Sequence, residues 1–321
     1  MADTLTTQVP PFILHPPSSP LFLAGPTAVG KSDVALLLAE RLGGEIISVD
    51  SMQVYRGLEI GTAKPNAAER ARVPHHLIDV AELNELFDAA KFCALAKVAV
   101  SEIQARGHVP IFCGGTGLYF KAYLEGLGEA PPADAKLRAE LEAAPLEELL
   151  RELAERDPAT FEKIDRQNPR RVIRAVEVIR LTGKPFSAQR SEWKDSSRIT
   201  PHASRLFVLS RPKPDLDARI NARVEAMFAQ GLVAETKALL THGLEQNPTA
   251  MQAIGYRQVV EHLRGERSLP ETIELVKIKT RQFAKRQMTW FRRHAHAQWV
   301  EVGAGEDLHR VAGRLLGGFS P

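Results

Sequence analysis

A four-residue apolar run, Leu21 to Ala24, leads without a break into Gly25-Pro-Thr-Ala-Val-Gly30-Lys31-Ser32. An amphipathic stretch from Asp33 to Leu42 follows and is stopped by Gly43-Gly44. Strand, glycine loop and helix in that order leave few folds open, because Gly-x-x-x-x-Gly-Lys-Ser in this context is the phosphate cradle of an open α/β sheet. Two glycines let the backbone curl so that successive N–H groups point inward. The helix N-terminus adds partial positive charge and Lys31 a full one. Ser32 offers a hydroxyl suited to Mg2+. Gly25, Pro26, Thr27, Ala28, Val29, Gly30, Lys31 and Ser32 are therefore the expected phosphate-binding residues. The loop by itself does not say which phosphate compound it holds.

Downstream segments extend the α/β pattern. Glu45 to Asp50 reads as a second buried strand ending on an acid. Residues just past strand C-termini line the ligand crevice of such a sheet, so Asp50 lies near the loop if the two strands are neighbours. From position alone it is equally a turn former. Ser51 to Pro65 has no clean period and reads as a functional loop. His75 to Val80 reads as a short strand. Its His pair is expected to hydrogen-bond, since no third ligand stands at a metal spacing. A helix is expected from Asp88 to Arg106, burying Phe92, Leu95, Ala96, Ala99 and Ile103 and stopped by Gly107. Val109 to Cys113 is another buried strand, opening into Gly114-Gly-Thr-Gly-Leu-Tyr119 with Thr116 as the N-cap of the next helix. P-loop enzymes that hydrolyse nucleotides hold Mg2+ with an acid at the end of such a strand. Cys113-Gly114-Gly115 supplies none, and Asp79 is a poor substitute, which argues against an ATPase or a standard kinase.

Pro131-Pro132 marks a change of character. Residues 131–200 are short, charge-rich helices and read as a helical insertion. Residues 20–130 and 201–321 read as the P-loop-like core, and residues 1–19, rich in Thr, Pro and Ser, as a flexible tail without the features of a secretory signal. Within the insertion, helices are expected from Asp134, from Leu146 and after Asp157-Pro158. Another follows Asn168-Pro169, where Val172, Val176 and Ile179 bury and Arg170, Arg171 and Arg174 suit a polyanion. Arg205 to Ser210 resumes the sheet. A helix from Asp215 then carries Arg219 and Arg223, which either reach the phosphate site or pair with Asp215 or Glu225. Ser268-x-x-Glu271 forms a capping box. The helix after it places Lys277, Arg281 and Lys285 on one stripe and Val276, Phe283 and Trp290 on another, the footprint of a helix offering cations to phosphates. Gln298 to Val302 is a last strand. The 321 residues are 44% hydrophobic and 25% charged with a net charge of +3, ordinary for a globular protein, and no run of 18 apolar residues suggests a membrane span. Cys93 and Cys113 sit in apolar segments and read as core thiols of a reducing compartment.

Several blocks together carry a family resemblance: the glycine loop, Asp50-Ser-Met-Gln-Val-Tyr55, Gly61-Thr-Ala-Lys-Pro65, Gly114 to Tyr119, Asn168-Pro-Arg-Arg-Val-Ile-Arg174, Ala253-Ile-Gly-Tyr-Arg257 and Thr280 to Trp290. They span nearly the whole chain after residue 20, and the sequence resembles the tRNA dimethylallyltransferases, or IPP transferases, in their bacterial form. The resemblance implies an α/β P-loop-like parallel sheet with a mainly helical, tRNA-binding insertion. It implies transfer of a dimethylallyl group from dimethylallyl diphosphate to N6 of the adenosine 3′ of the anticodon, with Mg2+ at Ser32, in a cytoplasmic monomer. Asp50 would be the general base and Arg223 would neutralise the leaving group, while Asp50, Ser51, Met52, Gln53, Thr116, Arg138, Gln167, Asn168, Pro169, Arg170 and Arg171 would touch the anticodon stem-loop. The rival readings are a P-loop small-molecule or nucleoside kinase, and a non-catalytic RNA-binding protein with a nucleotide switch.

Overall fold

The structure is a computed structural model that describes residues 19–126, 131–190, 206–294 and 297–317. The expected tail, residues 1–19, lies outside them except for Ser19. Six strands form one parallel sheet: β1 (Leu21–Ala24), β2 (Gly44–Val49), β3 (His75–His76), β4 (Val109–Gly114), β5 (Leu206–Ser210) and β6 (Gln298–Glu301). Their order is β3-β2-β4-β1-β5-β6. β1, β2 and β4 are buried along their whole length, which is why they read as continuous apolar runs and not as alternating ones. Phe22 and Phe112 stack at 4.8 Å across the β1–β4 pair.

Local chemistry sets most element ends. Asp88 caps the helix Ala89–Ala105 by accepting from the Lys91 N–H, and Phe92, Cys93, Ala96, Ala99 and Ile103 are its buried residues. Leu95, expected to bury, is only half-buried, and Cys93 is buried on another side of the helix. Ser268 and Glu271 bond reciprocally at the start of Leu269–His294. The strand expected over 75–80 stops after His76, because Leu77 (φ 60°) and Asp79 (φ 56°) turn left-handed and end the extended run. Its histidines do hydrogen-bond: His76 Nε2 lies 2.6 Å from Glu45 Oε2, and His75 Nδ1 lies 2.7 Å from the Val73 carbonyl.

The described residues form two compact units, one up to Phe120 and from Leu206 onward, the other from Lys121 to Arg190. In the first, the helix Lys31–Leu42 packs Val34, Ala35 and Leu38 into one apolar cluster with Leu21, Leu23 and Ile111. Val311, Ala312 and Leu315 of the last helix join that cluster. The second unit has its own core of Leu141, Leu149, Leu153, Val172, Val176 and Ile179. Asp134, Asp157 and Asn168 cap its helices as their sequence signatures indicate.

Candidate active site

Gly25 to Ser32 leave β1 at the centre of the sheet and enter the helix Lys31–Leu42. The turn into that helix needs Gly30, whose φ of +101° disfavours any L side chain. Ala28 accepts a left-handed φ of 63°, and strained backbone of this kind concentrates at functional sites. The outward carbonyls of the loop are each held by a cation. Lys31 Nζ donates to Pro26 O at 3.2 Å, Arg219 Nε to Ala28 O at 2.9 Å and Arg211 Nε to Val29 O at 2.8 Å. The N–H groups of Ala28 to Ser32 belong to the same loop. None of them has a protein acceptor among the described residues. This is an anion cup with its donors open.

Two cations reinforce it. Burial draws the Lys31 ammonium below the ordinary lysine range; Cys113 and Asp50 oppose that shift and Arg223 adds to it. Burial likewise lowers Arg223, against the charges of Asp50 and Asp33. Arg223 has no carboxylate within ion-pair distance among the described residues. The alternative pairing is excluded directly: Asp215 takes Arg211 at 2.7 Å and Glu225 takes Lys277 at 2.8 Å. A desolvated cation of this kind is stabilised by an incoming anion. Cys113, pushed up to about 12 by burial, remains a neutral thiol and donates to the Lys31 carbonyl at 3.6 Å.

Asp50 follows β2, yet β2 is not the neighbour of β1: β4 lies between them. Adjacency therefore does not bring the acid to the loop. Loop bonds around the end of β4 do. The Thr116 hydroxyl accepts from the Ser51 N–H at 3.1 Å, and its N–H donates to Val49 O at 3.2 Å. Thr116 does stand at the helix start, but its side chain serves Ser51 and not the helix donors. Asp50 is both things that its position allows. Oδ1 forms a turn by accepting from the N–H groups of Met52 (2.8 Å) and Gln53 (3.2 Å), while Oδ2 has no hydrogen-bond partner among the described residues.

Gln53, expected to touch RNA, has its amide engaged inside the loop. It accepts from Ser48 Oγ at 2.8 Å and donates to the Thr62 and Ala63 carbonyls. Asp79 is removed from any metal role by its ion pairs with Lys64 and Arg70. In the second unit Arg138 and Arg174 both pair with the fully buried Glu177, so Arg174 does not join the exposed Arg170 and Arg171. Gln167 is exposed, and Asn168 and Pro169 form the start of their helix.

The basic stripe expected on the helix Leu269–His294 does not form as one exposed row, because Lys277 and Arg281 are engaged within the protein. Lys277 is buried between Glu225 and Glu274, and Arg281 bonds Asn221, whereas Phe283 is 36% exposed. Heptad spacing drifts around a straight α-helix, and the buried line follows Val276, Ala284, Gln287 and Phe291. Lys285 is exposed as expected, and so are Lys279, Arg286, Arg292 and Arg293. Of these, Lys279 and Arg286 line a groove of about 380 Å3 with Arg257, Arg267 and Glu261. Two site residues escaped the sequence reading. Arg211 buttresses the cup through Val29, and Gln287 reaches it from 260 residues away, accepting from the Thr27 N–H at 2.9 Å and donating to Gly115 O at 2.9 Å. A polar residue on the buried line of an amphipathic helix was the available signal for Gln287.

The sheet order and the glycine loop between β1 and its helix define an α/β protein of the P-loop type, with two half-buried cations, Lys31 and Arg223, and a carboxylate oxygen of Asp50 that has no partner among the described residues. Comparison with known proteins gives the family. Residues 53–294 match the IPP transferase family model. A tRNA dimethylallyltransferase of Trichlorobacter lovleyi is 49% identical over 87% of this chain and 92% of its own. The full-length tRNA isopentenylpyrophosphate transferase of Bacillus halodurans has a solved structure that is 38% identical. It superposes with a TM-score of 0.68 over 94% of this chain and 97% of that one. A eukaryotic dimethylallyltransferase solved acting on tRNA gives 28% identity and a TM-score of 0.72 over 88% and 73%. The chain belongs to the IPP transferase family.

Proposed function

We propose that this chain moves the dimethylallyl group of dimethylallyl diphosphate onto the exocyclic N6 of the adenosine 3′ of the anticodon in tRNA, releasing diphosphate. Family membership makes it a transferase of the tRNA-modifying class and disfavours the kinase reading. The observation that supports the finer statement is the pairing of an open-donor loop and Arg223, which has no ion pair among the described residues, with a carboxylate whose Oδ2 has no partner among them.

In this reading the N–H groups of Ala28 to Ser32, with Lys31 and Arg223, bind the diphosphate and stabilise the charge that grows on it. The adenosine is flipped out of its stack toward Asp50. Its N6 lone pair attacks C1 of the dimethylallyl group, the C1–O bond breaks, and that electron pair leaves with the diphosphate. Asp50 Oδ2 takes the N6 proton, while Oδ1 stays locked in its turn. Ser32 fits a magnesium role: its hydroxyl has no hydrogen-bond partner among the described residues, and Asp33 is the next residue along. No group of three or more His, Cys, Asp or Glu side chains that could hold a metal occurs among those residues. That suits a cation bound mainly through substrate oxygens and water, with Ser32 as its protein ligand. When bound, Mg2+ would supply further neutralisation of the leaving diphosphate. Exposed Arg170 and Arg171, and the groove of Arg257, Lys279 and Arg286, suit the RNA backbone.

The test is incubation with unmodified tRNA, Mg2+ and radiolabelled dimethylallyl diphosphate. Label should enter the RNA with the wild type and fall by about 10²–10⁴-fold in Asp50→Ala. ATP consumption without label transfer would support the kinase instead.

A further inference from the structure

We infer that Gln287 is a positioning residue for group transfer: its side-chain amide sets the distance between the phosphate cup and the Asp50 carboxylate. The inference rests on the prenyl-transfer reading above. Because β4 lies between β1 and β2, the cup and the acid hang from strands about 10 Å apart. Something must hold the two loops in register for an in-line transfer. One chain of hydrogen bonds does so. Gln287 Oε1 accepts from the Thr27 N–H in the cup, and its Nε2 donates to the Gly115 carbonyl, each at 2.9 Å. The next residue, Thr116, ties to Val49 O and to the Ser51 N–H on either side of Asp50. The amide is thus the link between the loop that grips the leaving group and the loop that carries the base.

Three further features fit this role. Gln287 is 7% exposed, so water does not readily replace its bonds. A Cβ on Gly115 would come within 2.2 Å of Gln287 Nε2, so the glycine is what admits the amide. The amide also occupies the Thr27 N–H, keeping that donor out of the cup. Gln287 should therefore act on the chemical step and not on the grip on diphosphate. Displacement of a reacting group by about 1 Å can cost ~100-fold in rate.

Gln287→Glu and Gln287→Met test the idea in the full-length enzyme by steady-state label transfer from pH 6 to 8, each normalised to wild type. As a carboxylate, Glu cannot donate to Gly115 O; as a neutral acid, it restores both bonds. The facing carbonyl and the nearby diphosphate raise its pKa. At pH 8 both variants should lose about 100-fold in kcat, with KM for dimethylallyl diphosphate within about threefold of wild type. The Glu variant should then regain about tenfold relative to wild type between pH 8 and pH 6, while the Met variant stays flat. A purely structural role would give two flat ratios, and that result overturns the inference, as does a variant with wild-type kcat or a loss confined to KM. Should the Glu variant fail to fold by circular dichroism, Gly115→Ala, which pushes the amide away, must show the same loss of kcat at constant KM. If the wild type transfers no label, the reading and the inference fall together; if it transfers label and the variants match it, only the inference does.

Discussion

At the scale of single residues, the site sets two partly desolvated cations, Lys31 and Arg223, against the charge of Asp50. Both are drawn downward by burial, Arg223 adds to the shift at Lys31 and Arg219 to that at Arg223, and Asp50 opposes both. In the proposed reaction a diphosphate would supply the anion that this set of charges can take. Arg223→Ala should lower kcat by about 10²–10³-fold in the label-transfer assay while leaving the thermal midpoint near that of wild type, since Arg223 is only partly buried and holds no ion pair among the described residues. Loss of activity that follows loss of fold would refute this assignment. Residue chemistry also explains which glycines matter: Gly30 for its φ, Gly115 for the side chain that lies against it.

Elements hold these residues through buried polar groups that join distant segments. At the end of the sheet where β2 begins, Glu45 is 2% exposed and accepts from Arg106 at 2.8 and 2.9 Å, with His76 and His108 also within 2.7 Å. Hydrogen bonding to Arg106, opposed by burial and aided by the two histidines, lowers its pKa from 4.5 to about 2. A depressed carboxylate pKa contributes stability above the unfolded value, and that stability is lost as pH falls from about 4.5 toward about 2. Because Arg106 and His108 are half in water, about 2 kcal/mol is the expected size. Glu45→Gln should cost that amount at pH 7 in urea unfolding, and the gap from wild type should close in acid. A second device clamps the loop after Asp50. Tyr256 donates to Glu235 at 2.5 Å and accepts from the Gly61 N–H, while Glu235 accepts from the Ile60 N–H. Tyr256→Phe leaves the Gly61 N–H without its acceptor and should destabilise by about 1–3 kcal/mol. Faster amide exchange at Ile60 and Gly61 would localise the effect, and unchanged exchange would contradict it.

For the whole molecule, the distribution of charge matters more than its total of +3. Arg170 and Arg171 are exposed in one unit, and Arg257, Lys279 and Arg286 line a groove in the other. If both surfaces meet the RNA backbone, tRNA affinity should fall linearly on a log–log plot against salt, with a slope of several units. A slope near zero in a filter-binding titration would remove the RNA role of these surfaces. Among the described residues no helix is long and apolar enough to cross a membrane.

Much of this was legible in the linear chain because its signals are local. The strand–loop–helix phosphate cradle, the caps at Asp88, Asp157, Asn168 and Ser268, and the buried parallel strands each depend on residues a few positions apart. The tertiary structure alone decided what depends on segments far apart in sequence. It placed β4 between the cup and Asp50, turned Lys277 inward toward two carboxylates, engaged the Gln53 amide within its own loop, and brought Gln287 across 260 residues to Thr27. Periodicity specifies which face of a helix is buried only to within a residue or so, and it carries no information about which loop that face will meet.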